Sequence, residues 1–191
     1  MNHLGLFCAV ALGGVFLVSA WGKLGRTRLR VFAATAGPLS LLPRGWRGWA
    51  AAAVATAELG VVTALGAGAA FAASGLPPGR AVLLLGFLGV ATLLVVFTVA
   101  IGLLVARGVR ATCRCFGAHD TPLGPAHIVR NLILLAFAVT GALAPAGALT
   151  IPGAGLAAGC GALAAILVVR FDDLLALFRA TAPRDAARGS R

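Results

Sequence analysis

Charge is scarce in this chain. Charged residues are 11% of 191, and acids are scarcer still, five Asp and Glu against sixteen Lys and Arg. A soluble domain of this length carries roughly 25% charge, because its surface must face water. That shortage excludes an ordinary soluble domain. The chain also has no internal repeat, no nucleic-acid-binding motif and no aromatic platform interleaved with its basic residues. The net charge of +11 therefore does not point to nucleic acid. The cations instead fall between apolar runs, where membrane topology and contact with anionic membrane lipid account for them.

Hydrophobic residues fill 60% of the sequence, and they are gathered into runs close to the roughly 20 residues that cross a bilayer. The runs are Leu4–Trp21, Trp49–Ala73, Ala81–Ala106, Asn131–Ala148 and Ile151–Val169. They predict an all-α polytopic membrane helical bundle of about five spans. Four spans plus a re-entrant hairpin is the alternative, because Pro145, Gly147, Pro152 and Gly153 crowd the last turn. Residues 1–178 read as a single transmembrane domain, and 179–191 as a polar, disordered tail. The first run is followed, not preceded, by Lys23, Arg26, Arg28 and Arg30, which argues for a retained helix over a cleaved signal peptide. Val31–Leu42 is apolar but short, and suits an interfacial or re-entrant position. Trp46 and Trp49 beside Arg44 and Arg47 suit the headgroup region.

The basic residues divide unevenly. Six lie in 22–48, four in 107–130 and five from Arg170 onward; the 74–80 turn holds the remaining one. The positive-inside rule then puts the N-terminus outside and the C-terminus in the cytoplasm. Within the spans, Glu58 is a lone acid. A carboxylate facing lipid is costly, so it should face the bundle interior and meet a cation, with Lys23 or a nearby arginine as its partner.

Reactive side chains concentrate in the connector 107–130, which holds Cys113, Cys115, His119, Asp120 and His127. Three chemistries fit the C-x-C pair. A strained disulfide between Cys113 and Cys115 suits thiol–disulfide exchange, with Arg110, Arg114 and His119 favouring the thiolate and Phe116 and Gly117 shaping a docking surface. Cys113, Cys115, His119 and His127 form a donor set compatible with zinc or copper, although the spacing matches no familiar finger. The third reading is a pair of reduced cysteines with no chemical task. Cys8 and Cys160 fall at similar depth in the outer ends of their spans, as a second pair or as inert packing.

Several stretches, in order, resemble the MauE/DoxX superfamily, and more closely its MauE-like branch. They are FLVSAWGKL at Phe16–Leu24, LLP at Leu41–Pro43, AE at Ala57–Glu58, CRCFG at Cys113–Gly117 and RN at Arg130–Asn131. The resemblance implies a redox-associated multispan protein of the bacterial cytoplasmic membrane, of the kind associated with maturation of a disulfide-rich enzyme subunit. Carried over by motif, Cys113 and Cys115 are the redox pair, and Lys23, Glu58, Phe116, Arg130 and Asn131 line or shape the site. The expectation is therefore a membrane thiol–disulfide redox protein exchanging with a thioredoxin-like or other redox partner. Quinone is the cofactor considered, and no metal is favoured. A non-enzymatic maturation or metal-handling factor and a small-solute transporter coupled through Glu58 are the alternatives.

Overall fold

The computed structural model describes residues 2–108, 112–113, 121–122, 125–145, 147, 149–171 and 173. Six α-helices carry the fold: α1 His3–Trp21, α2 Arg26–Thr35, α3 Arg44–Ala73, α4 Gly79–Ala106, α5 Pro125–Leu143 and α6 Ile151–Val169. All but α2 are long and apolar enough to span a membrane, so the protein is a multi-pass membrane helical bundle with five spans. Helices suit this setting because they satisfy every backbone N–H and C=O internally, which lipid cannot do. The expected tail, 179–191, lies outside the described residues, and five separate helices replace the alternative of a re-entrant hairpin.

The helices differ in length, and the difference positions the connectors. At 1.5 Å per residue, α3 and α4 run to about 45 and 42 Å, against a hydrocarbon core of about 30 Å. The excess length is taken up by tilt and by ends that reach the headgroups. Thus α3 begins at Arg44, five residues before the sequence suggested, and carries Trp46, Arg47 and Trp49 on its first turns. The fourth span also starts early, at Pro125, whose ring sets the helical φ and needs no N–H partner in the first turn. That shift takes His127 and Arg130 out of the connector and onto α5 with Asn131, where all three are buried.

The bundle is arranged around α1. It packs against α6, α3 and α5, while α4 closes the ring between α3 and α5. Leu12, Val15 and Phe16 of α1 are almost fully buried, in one cluster with Leu65, Phe87, Val90 and Leu134. Elsewhere small residues bring backbones close, the usual device where lipid supplies no hydrophobic drive. A methyl group at Gly68 of α3 would sit 2.7 Å from the Leu83 amide nitrogen of α4, and one at Gly161 of α6 2.7 Å from the Phe7 carbonyl of α1. Neither position tolerates a side chain without moving a helix.

Between α1 and α3 the chain makes a short polar excursion. Gly25, at φ +97, turns it into α2, a conformation that glycine adopts without a Cβ clash. Leu29, Phe32, Ala33 and Ala36 then recur at helical spacing and pack with Leu39 on Ala51 and Val54 of α3. A 3-10 turn, Gly37–Leu41, leads back to α3. The connector between α4 and α5 contributes two short antiparallel strands, β1 Thr112–Cys113 and β2 Thr121–Pro122, with Cys113 opposite Thr121.

Candidate functional site

The polar centre of the bundle is an ion pair at the connector end of α1. Lys23 lies in the turn just after α1, and its side chain folds back toward the core. Its Nζ donates to both carboxylate oxygens of Glu58, each at 2.8 Å. It also donates to Ser19 Oγ at 2.6 Å and to the Ser19 carbonyl at 3.1 Å. The Ser19 hydroxyl in turn donates to Glu58 Oε1 at 2.9 Å. Lys23 is 4% exposed and Glu58 1%. An ammonium has three protons, and here four acceptors surround it. The Phe32 ring of α2 closes the remaining side, its centroid 4.9 Å from Nζ, within cation–π range.

A small cavity adjoins this pair. Ser19, Glu58, His127, Arg130 and Asn131 form its polar lining, and Phe16, Leu94, Phe97, Ile101 and Pro38 its apolar one. It offers about 30 Å³, room for one or two waters. Asn131 Nδ2 reaches across to Thr98 Oγ1 of α4 at 3.2 Å, and that hydroxyl donates to the Leu94 carbonyl at 2.7 Å. Around this cavity, in one polar layer, the α1 end is thus hydrogen-bonded to α3 and α5 to α4.

The family match coincides with this unit. The family model described as "Methylamine utilisation protein MauE" matches residues 1–144, which include α1 to α5 and every residue of the polar layer. The chain belongs to the MauE family. Helix α6 lies beyond the matched span, docked on the outer side of α1. No curated protein and no solved structure matches the chain.

The structure brings together four of the expected site residues, Lys23, Glu58, Arg130 and Asn131, at or beside one cavity. The expected partnership of Glu58 with Lys23 is present. Cys115, Phe116 and His119 lie outside the described residues, and of Cys113 only the backbone is described. The expected thiol–disulfide function, with its redox-active centre, disulfide and oxidoreductase terms, is corrected here. Among the described residues no group of three or more His, Cys, Asp or Glu side chains converges as a metal or redox cluster. The physical reason lies in where the ionisable groups went: the described polar centre is a saturated charge pair, and sulfur takes no part in it. Of the alternative metal set, His127 is buried on α5, while Cys115, His119 and the side chain of Cys113 lie outside the described residues. Nor do Cys8 and Cys160 pair. Both are free, Cys8 buried against the α4 and α5 side and Cys160 exposed on α6.

Sequence reasoning missed Ser19, Phe32 and Thr98. Ser19 was within reach, since Ser19 and Lys23 stand at the i, i+4 spacing that makes side chains neighbours along a helical path. Phe32 and Thr98 depend on how separate helices pack, and no local signal carries that.

Proposed function

We propose that this chain is a non-enzymatic membrane maturation factor, a five-span scaffold that holds a protein partner at the bilayer. The observation that carries the reading is the saturation of the Lys23–Glu58–Ser19 cluster inside the family-matched unit. A carboxylate whose two oxygens are both bound to an ammonium ties α3 to the end of α1. Arg130 and Asn131, buried beside the small cavity next to it, belong to the same polar centre. The accessory role in maturing another protein is what the resemblance implies; the family's printed name, methylamine utilisation, does not make methylamine the ligand here. A thioredoxin-like or other redox protein is the partner class that the resemblance favours.

The setting belongs to the same reading. Fifteen of the sixteen basic residues fall in the stretches 22–48 and 107–130 and from Arg170 onward, which a five-span chain puts on one side. The positive-inside rule makes that side cytoplasmic, in a bacterial cytoplasmic membrane, with the N-terminus outside. A C-terminal fluorescent-protein fusion should fluoresce and a C-terminal alkaline phosphatase fusion should stay inactive; the reverse pattern inverts the topology.

Deletion of the gene, followed by quantitative comparison of membrane and exported proteins, tests the function. The expected result is loss of a defined set of exported proteins, restored by the wild-type chain and not by an Arg130→Gln/Asn131→Ala variant that inserts normally. Solute uptake by proteoliposomes in proportion to protein, abolished by Glu58→Gln, would overturn the reading in favour of transport.

A further inference from the structure

At the connector end of the bundle the surface is basic and aromatic. Helix α2 buries its Leu29–Phe32–Ala36 face and leaves Arg26 and Arg30, one turn apart, on the exposed one. Arg44 is exposed at the start of α3. Beyond it Trp46 and Trp49 stand 69% and 79% exposed and flank a groove of about 440 Å³ over Gly45. Trp21, the third tryptophan of the chain, is exposed at the same end of α1.

The arginines here divide into two kinds. Arg28 donates to the Trp21 carbonyl, and Arg47 to the Ser40 and Leu42 carbonyls, so both fasten the connector. Arg26, Arg30 and Arg44 make no hydrogen bond or ion pair among the described residues. Their guanidinium forks are free to take an oxyanion two bonds at a time. Helix α3, at 30 residues, is longer than the hydrocarbon core is thick, and its first turns suit headgroup depth, where indole rings and arginines both settle.

We propose that Arg26, Arg30 and Arg44, with Trp46 and Trp49, form a binding site for the headgroups of acidic phospholipids. The arginines take the phosphodiester and the excess negative charge, and the rings occupy the region just below it. Charge complementarity selects the occupant: three free cations stand here, and among the described residues the one exposed carboxylate, Asp173, is already paired with Arg170.

The three tryptophans report from this surface alone, so their fluorescence is the readout. The purified full chain is placed in phosphatidylcholine nanodiscs containing brominated phosphatidylglycerol or, at equal mole fraction, brominated phosphatidylcholine. Brominated phosphatidylglycerol is expected to quench at the lower mole fraction. The Arg26→Gln/Arg30→Gln/Arg44→Gln variant should lose that preference, by about five-fold in relative affinity per arginine. Arg80→Gln, at the opposite end, should keep it. If the triple variant does not fold, Arg44→Gln alone is expected to show the single step. Equal quenching by the two lipids in the wild type, or a preference that survives the substitutions, overturns the proposal. So does loss of the preference when inorganic phosphate replaces chloride at matched ionic strength, since that would make the surface a site for any phosphate anion.

Discussion

Helix α1 is held in two places by different physics. Along its N-terminal half it meets α6 through close backbone approach, with Gly161 against the Phe7 carbonyl and Gly14 facing Ala165. At its C-terminal end it meets α3 through Lys23, Ser19 and Glu58. The first contact is made of many weak dispersion terms, and any side chain added there costs space. The second is a few strong electrostatic terms in a medium that screens little, offset by the cost of taking two charges out of water. The seam therefore tolerates polarity changes but not volume, whereas the charged layer tolerates volume changes but not an unpaired charge.

Removing one charge should produce the largest effect. Glu58→Leu or Lys23→Leu leaves its partner buried and alone, and each is expected to destabilise the bundle by about 3–5 kcal/mol. The double variant Lys23→Leu/Glu58→Leu should recover most of that loss. Equilibrium unfolding in mixed micelles measures all three, and a double variant as unstable as the singles would mean that the pair contributes net stability.

A volume change at the seam comes next. Gly68→Val and Gly161→Val should each cost about 1–3 kcal/mol, through forced separation of α3 from α4 or of α6 from α1. The same unfolding assay reads this, and unchanged stability in both would remove the close-approach argument.

Ser19→Ala is a smaller test within the charged layer. It takes away the hydroxyl shared by Lys23 and Glu58 and is expected to cost about 0.6–1.7 kcal/mol, the range of interhelical hydrogen bonds in membranes. An effect as large as loss of Glu58 would show that the serine organises the pair instead of assisting it. Smallest of all are Gly155→Ala and Gly159→Ala on α6, where an added methyl meets nothing within 4 Å. Changes within about 0.5 kcal/mol are expected there. A large loss at either position would reveal a contact made by another molecule in the membrane.

The sequence marked part of the site because part of it obeys local rules. A lone acid in an apolar span must find a cation, and that rule pointed Glu58 toward Lys23 or a nearby arginine. Arg130 and Asn131 were singled out by motif resemblance, and their burial on α5 followed only once Pro125 was seen to start the helix. The C-x-C pair drew the functional reading toward sulfur, because reactive residues are conspicuous in an apolar chain. Conspicuousness is a property of composition. Convergence of side chains is a property of packing, and the described residues converge on charge.

Composition and hydropathy determined by themselves that this is a membrane protein, that it crosses about five times, and that its basic residues fall in alternate connectors and the C-terminal stretch. Each follows from summing properties along the chain, with no need to know which helix touches which. The tertiary structure alone decided that α1 is the central helix, that Lys23 and not an arginine pairs with Glu58, that α2 covers the pair with Phe32, and that α6 docks outside the family-matched unit. Those outcomes depend on helix rotation and neighbour choice. Residues 35 positions apart, such as Lys23 and Glu58, meet only when two separate helices present the right faces at the right depth.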